Sequence, residues 1–395
     1  MKNYLVIDAN FGDSGKGRNV DFIVKNMIDD GIDKESIIVT RFSGSNNAGH
    51  TVVVDNKSFV FSSICAGSFR GVTSYLGPDV IVDCKALEAE IIKFTELTGM
   101  IPKVIVDPRC RINLPYDVMI NRIKEYMRDE RHGSTGTGLS ETVNRSRNIN
   151  ITMDCVYFED MLKVAKSFNS QFHKLVGPNT VHRINENDMN AIYELLDIKT
   201  HTNVTNKILE FINSDVIQIM TPDLSQYNCV FEGSQGLGLD VYSNHYPHVT
   251  NSRTGCHNVI DICREHNIKI DDVYYVSRPY LSRHGNDPLF IENDISDYFD
   301  IEDHTNVHND FQGTIIYKEL DITEMKNRIK LDFNLLSSQF DCQMTLAFSC
   351  MDQQRNNRYI YNENNLIRRS IDAKLVLDNI FPYSSTIYHY HPENK

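Results

Sequence analysis

Two rhythms of apolar residues alternate along the chain. Tyr4-Leu5-Val6-Ile7 is a continuous run of strand length, and Val20, Ile23, Val24, Met27 and Ile28 then return at helical spacing until Gly31. Ile37-Ile38-Val39-Thr40 predicts a second strand. Lys85–Thr98 predicts a helix stopped by Gly99, Val104-Ile105-Val106 a strand, and Asp117–Met127 a helix that turns Ile120, Ile123 and Met127 inward. Later strands are predicted at Cys229-Val230-Phe231, Val273-Tyr274-Tyr275-Val276 and Thr345-Leu346-Ala347-Phe348. This strand–helix alternation is that of an α/β fold.

The rhythm breaks at polar, glycine-rich segments. Gly12-Asp13-Ser14-Gly15-Lys16-Gly17 separates the first strand from the first helix. Closely spaced glycines let backbone N–H groups converge on phosphate oxygens, and a helix N-terminus behind them favours negative charge. The spacing is neither a Walker A motif nor the dinucleotide G-x-G-x-x-G. Asp13 is unfavourable among phosphate-binding amides unless a metal ion or a proton transfer compensates it. Ser43–Thr51 is a second candidate active loop, although a lone histidine such as His50 is more often structural. Phe231-Glu232-Gly233-Ser234-Gln235-Gly236 repeats the strand-then-glycine pattern and predicts a third loop at the same sheet edge. Arg131–Asn148 loses apolar periodicity, which predicts a mobile or ligand-ordered loop.

Composition narrows the function. The 395 residues are 41% hydrophobic and carry a net charge of −13. That balance argues against nucleic acid as a partner and leaves small nucleotides, met by a local pocket of N–H groups and a few cations. No run of about 18 apolar residues suggests a membrane span, and Asp8 comes too early for a signal peptide, so a cytoplasmic protein is expected. Nine cysteines without a C-x-x-C pair predict reduced thiols rather than disulfides or a zinc site. Without repeats or a clear linker, residues 1–395 are expected to form a single domain with loop and helical insertions. The terminal Tyr388-His389-Tyr390-His391 reads as an exposed tail, and His304 and His308 would pair only on a helix.

Gly12–Gly17, Asn47-Ala48-Gly49-His50-Thr51, Gly133-Ser134-Thr135-Gly136-Thr137-Gly138, Glu232–Gly236 and Tyr246-Pro247-His248-Val249-Thr250 stand in one order. The set resembles the adenylosuccinate synthetase family over roughly residues 3 to 350. The resemblance implies a large, mostly parallel central sheet flanked by helices, with P-loop-like nucleotide binding. It implies a reaction in which a nucleoside triphosphate phosphorylates the 6-oxygen of a purine monophosphate and L-aspartate then displaces the phosphate. Asp13 would be the N1 base and a Mg²⁺ ligand, Gly49 would lend its carbonyl to Mg²⁺, His50 would be a general acid, and Gln235 would hold the 6-position. Gly12, Gly15, Lys16, Gly17, Gly49, Thr51 and Asp352 would bind the donor. Ser14, Asn47, Thr135, Arg145, Thr250 and Gly285 would bind the acceptor, with Arg145, or its rival Arg147, crossing into a partner subunit of a homodimer.

Four departures fall at specificity elements. Ser14 replaces the glutamate of the usual G-D-E-G-K-G, which removes a charge and makes room beside the N1 base for a 2-amino group. Cys350 replaces the lysine of the guanine-recognising T-K-L-D, and no G-P-x-R follows in Ser384–His389, so ATP or dATP is the expected donor rather than GTP. The arginine-rich segment is replaced around Thr305–Ile316, which permits a deoxyribose and leaves Thr305 and Asn306 as the suggested aspartate contacts, with Arg253, Arg278 and Arg283 unranked. His284 stands where a small apolar residue usually lies beside the ribose. Together they resemble the viral 2-aminoadenylosuccinate synthetases, and imply dGMP, L-aspartate and ATP or dATP as substrates for 2-aminoadenine DNA. The rival readings are an IMP-using adenylosuccinate synthetase and a non-catalytic nucleotide sensor.

Overall fold

Leu5, Val6 and Ile7 are completely buried, and they alternate between two apolar clusters. Val6 packs with Val20, Ile23 and Val24, whereas Leu5 and Ile7 pack with Val259, Ile260, Met325 and Ile329. A strand buried on both faces belongs inside a sheet with helices on either side. The computed structural model, which describes residues 1–285, 287–302, 309–355 and 358–390, has that sheet.

Its nine strands are β1 Tyr4–Asp8, β2 Ile37–Arg41, β3 Thr73–Leu76, β4 Val104–Val106, β5 Gln218–Ile219, β6 Asn228–Gly236, β7 Asp272–Ser277, β8 Gln343–Phe348 and β9 Ser385–Tyr388, in the order β9-β8-β7-β1-β6-β2-β3-β4-β5. Every pairing is parallel. One face carries α1 Lys16–Asp29, α2 Cys84–Thr98, α3 Pro115–Met127, α5 Phe158–Leu175, α6 Glu186–Leu196 and α7 Thr200–Ile212. The other carries α8 His257–Glu265 and α9 Ile322–Ser337. Because the strands run one way, the loops after β1, β2, β6, β7 and β8 gather at one edge, where sheets of this kind bind ligands.

The structure corrects four expectations. Tyr388-His389 is not an exposed tail, since Ser385–Tyr388 is β9 and His389 is buried with Nε2 3.0 Å from Asn19 Oδ1. The strand at Cys229 runs on through Gly236, so the glycine-rich segment from Glu232 is β6 and not a loop. The loop after β2 ends at Gly49, and His50–Val54 is the first strand of a hairpin with Lys57–Phe61. Within Arg131–Asn148 a short helix, α4, spans Leu139–Ser146 with only Leu139 and Thr142 buried, too few to show a period. Six cysteines are buried, three are intermediate and none is bonded. Among the described residues no helix is long and apolar enough to cross a membrane. Thr305, Asn306, His304 and His308 lie outside the described residues.

The entry of β7 carries a titratable strain. Burial, with Asp271 adding to it against a Thr345 hydroxyl bond, pushes Asp272 from 3.8 up to about 6. A raised carboxyl favours folding below its unfolded value and loses that contribution as pH climbs through 6. Asp272→Asn should therefore stabilise the protein at pH 8 by on the order of 1–3 kcal/mol, with the gain gone at pH 4. Thermal melts across that range check it, and a gain independent of pH would exclude the carboxyl as its source.

Candidate active site

The chain leaves β1 at Asp8, whose buried carboxylate accepts the N–H groups of Asn10 (2.8 Å) and Ser14 (3.2 Å) and pairs with Lys16 Nζ (3.3 Å). This pulls Gly12–Gly15 into a compact turn with φ of 99° at Gly12, 56° at Asp13 and 88° at Gly15. Only glycine fits two of the packing contacts that result. A Cβ on Gly15 would stand 2.3 Å from Ser349 Oγ, and one on Gly17 would stand 2.8 Å from His50 Cβ. The turn thus brings the end of β8 and the start of the hairpin against the N-terminus of α1.

Left-handed backbone at Asp13 swings its side chain out and turns the next one in. Asp13 joins the wall of a cavity of about 820 Å³. Its carboxylate is 3.3 Å from His284 Nε2, and its carbonyl accepts from Arg278 Nε at 2.5 Å. Burial opposes ionisation, but the His284 hydrogen bond and the charges of His284, Arg278 and Lys16 outweigh it and hold the carboxyl below its ordinary range. Ser14 instead lies beneath the loop, 3% exposed, its hydroxyl donating to Gly12 O at 3.2 Å. The expectation that Ser14 opens space on the wall is corrected accordingly: it touches the Asp8 network, not the cavity.

His50 enters through a second buried carboxylate. Glu232, in the middle of β6, bonds His50 Nδ1, takes Ala66 N–H at 3.0 Å and lies 3.7 Å from Arg41 on β2. Burial raises Glu232, but Arg41 and His50 bring it below its usual value. Burial and Arg41 hold His50 below its ordinary value against the opposing pull of Glu232; Nδ1 faces the carboxylate, and Nε2 stands 3.2 Å from the Ser234 carbonyl, an acceptor that suits an Nε2–H. Sequence reading passed over Glu232 as a partner of His50. The signal was present, because an acid following a fully apolar strand is costly to bury unless something pairs with it.

The cavity gathers Gly12, Asp13, Gly15, Lys16, Gly17, Asn47, Gly49, His50, Thr51, Thr135, Gln235 and Thr250 on one continuous wall. Gln235 Oε1 and Asn47 Oδ1 are buried with no partner among the described residues. Besides Ser14, three anticipated residues are not on this wall. Arg145 is spent inside its own chain, on Asp117 (3.0 Å) and the carbonyls of Ile149 (2.9 Å) and Ile112 (2.6 Å), whereas Arg147 reaches the wall. Gly285 rests on the Gly133 backbone, leaving its neighbour His284 to face the cavity. Asp352 sits on the turn Met351–Gln353 behind Cys350, which does line the wall. Of the three unranked arginines, Arg278 and Arg283 line the wall, while Arg253 lies over Tyr242 at 4.7 Å. Cys256, His257 and Asp332 also converge, but Asp332 already accepts Cys256 N–H (2.8 Å) and Tyr275 O–H (2.7 Å). The carboxylate of Asp13 and the backbone of Gly49, both beside the phosphate loop, are the hard oxygen donors that Mg²⁺ prefers.

The profile of the adenylosuccinate synthetase family matches residues 5–312. The segment with Cys350 and Asp352 falls beyond that match. Adenylosuccinate synthetase of Fusobacterium nucleatum is 28% identical over 300 residues, 74% of this chain and 66% of the relative. That of Leuconostoc mesenteroides is 29% identical over 308 residues, 75% of this chain and 67% of the relative. The chain thus spans about two thirds of the length of these relatives. Among solved structures, fully ligated adenylosuccinate synthetase of Plasmodium falciparum superimposes with a TM-score of 0.64 at 17% identity, covering 98% of this chain and 96% of that one. Cyanophage S-2L succinoaminodeoxyadenylate synthetase bound to dGMP and dATP superimposes with a TM-score of 0.58 at 14% identity, covering 99% and 93%. The two superpositions bear out the α/β fold with its large parallel sheet.

Removing one member of a buried ion pair costs about 3–5 kcal/mol, because the other is left uncompensated. Glu232→Ala should lower stability on that scale in calorimetric unfolding. Glu232→Gln, which keeps one acceptor oxygen for either His50 or Ala66, should lose less. A Glu232→Ala protein that melts with the parent would dismiss the Arg41–Glu232–His50 network as a structural element.

Proposed function

The chain belongs to the adenylosuccinate synthetase family, and from that premise we propose that it joins L-aspartate to the 6-position of dGMP with hydrolysis of ATP or dATP. The observation that carries the reading is the common wall shared by Asp13, His50, Gln235 and the phosphate loop. An ionised Asp13 accepts the N1 proton of the 6-oxopurine, which makes O6 nucleophilic. O6 then takes the terminal phosphoryl group of the donor, whose phosphates lie on the amides of Gly12–Gly17 and on Lys16. The aspartate amine adds at C6, loses its proton and expels inorganic phosphate, giving N6-succino-2-amino-2′-deoxyadenylate and ADP or dADP.

Gln235 would donate its amide N–H to the 6-oxygen, while its buried oxygen, without a partner among the described residues, would accept from the incoming amine. His50, backed by Glu232, donates toward the bridging oxygen as charge develops there. Mg²⁺, held by the Asp13 carboxylate and the Gly49 carbonyl, would neutralise charge on the transferring phosphoryl group. Arg278 and Arg283 are the cations on the wall that suit the aspartate carboxylates. A homodimer belongs to this reading, with Arg147 near the nucleotide phosphate because Asp117 holds Arg145.

Three features support dGMP and an adenine donor. Serine at position 14 takes a charge away from directly beneath Asp13, Cys350 stands in place of a guanine-binding lysine, and the arginine block near the ribose is gone. The cyanophage protein that shares this fold is bound to dGMP and dATP, an analogy of fold that adds weight but no residue roles. IMP is the rival acceptor. Since Ser14 is off the wall, acceptor choice acts through the position of Asp13.

Phosphate release should follow when the purified protein receives Mg²⁺, ATP, aspartate and dGMP, and should be absent with IMP. Ser14→Glu would bury a second carboxylate beside Asp8, shift the loop and reduce dGMP turnover by about tenfold or more. Turnover with IMP and GTP but none with dGMP would reject this acceptor assignment.

A further inference from the structure

We propose that His132 and His248 form a paired anion site that holds the 5′-phosphate of the acceptor nucleotide. The inference rests on the ligase reading for the identity of that nucleotide. The two rings lie 5.2 Å apart between centroids at 59°, and both line the cavity. His132 directly precedes Gly133-Ser134-Thr135, and His248 stands two residues before Thr250. Both of those hydroxyl-bearing segments also form the wall. The pair is fixed from behind, because Arg283 Nη2 donates to the His248 carbonyl at 2.5 Å and Gly285 packs on Gly133.

The two rings offer hydrogen-bonding nitrogens to this end of the cavity. His248 Nδ1 is buried without a partner among the described residues. Burial above all, with Arg128 and His248 adding to it, holds His132 below its ordinary range. The nearby acids are already engaged, Glu125 with Arg128 and Glu141 with Lys124. Arg145, which could have supplied a cation, is committed to Asp117. A phosphate between the rings would partner Nδ1 of His248 and, being ionised itself, accept charge-assisted hydrogen bonds from both imidazoles. Neither residue touches the reacting 6-position in this assignment, so their role is binding and not chemistry.

The test compares calorimetric binding of dGMP and of deoxyguanosine, which lacks only the phosphate. The proteins are the parent, the double variant His132→Ala/His248→Ala and the double variant His132→Gln/His248→Gln. Both side chains are partly exposed, so the parent's melting temperature should be kept, and the Gln variant covers loss of packing by the Ala one. Expected is a loss of about tenfold or more in dGMP affinity for the Ala variant, unchanged deoxyguanosine affinity, and partial recovery with Gln. In turnover the KM for dGMP should rise with little change in kcat. An unaltered ratio of dGMP to deoxyguanosine affinity in both variants overturns the pair, as does a parent that binds the two equally. Full turnover with phosphate binding independent of the histidines removes this site and leaves the ligase reading. Histidine-dependent phosphate binding without turnover of any acceptor keeps the site and removes the ligase reading.

Discussion

Everything at the ligand edge depends on two carboxylates buried in neighbouring parallel strands. Asp8 closes β1 and Glu232 lies within β6, whose ladder with β1 pairs Val6 with Glu232 and Asp8 with Gly236. Both are completely buried, and an unpaired charge there would be expensive. Each is therefore surrounded by donors. Asp8 collects Asn10, Ser14 and Lys16 and so folds the phosphate loop. Glu232 collects Arg41, His50 and Ala66 and so fixes the imidazole. Because the ladder holds the two acids in register, the loop and the histidine are held relative to each other by the sheet itself. Gly17 then allows His50 to rest on the first turn of α1, closing the arrangement.

The parallel strands were legible because burial on both faces leaves an unbroken apolar run, as in Leu5-Val6-Ile7. Where the same strand carries polar residues, that signal fails. Glu232–Gly236 has the composition of a turn, yet its backbone is in the ladder and its acid is paired, so it stays extended. The helix Leu139–Ser146 was hidden for a different reason: it buries too little to show a period. Residues 158–212 lay outside the predicted elements although Met161, Val164, Ala165, Phe168 and Phe172 do repeat at helical spacing. The candidate site was legible as a set of motifs, but not as a set of facing side chains. Asp13 and Ser14 are adjacent, and only the left-handed backbone at Asp13 decides which one meets the cavity. Likewise Arg145 and Arg147 are indistinguishable in sequence, and the buried Asp117 claims the first.

A chain with a net charge of −13 still builds a cavity lined by Lys16, Arg18, Arg128, Arg147, Arg278 and Arg283. The contrast selects by size. A long polyanion meets the repulsive exterior, whereas a mononucleotide small enough to enter meets only the local cations and amides. These cations are spread across the wall, from Lys16 at the start of α1 to Arg128 at the end of α3 and Arg283 beside Phe11. One cavity can then hold two phosphorylated ligands with their charges apart and their reactive atoms together. Phosphoryl transfer needs that geometry, because its barrier falls chiefly through positioning and through groups already oriented toward the developing charge. The acids that remain on the wall are used accordingly: Glu125 and Glu141 balance Arg128 and Lys124. Asp13 faces His284 with its carboxyl held in the ionised form, the state in which it can receive a proton.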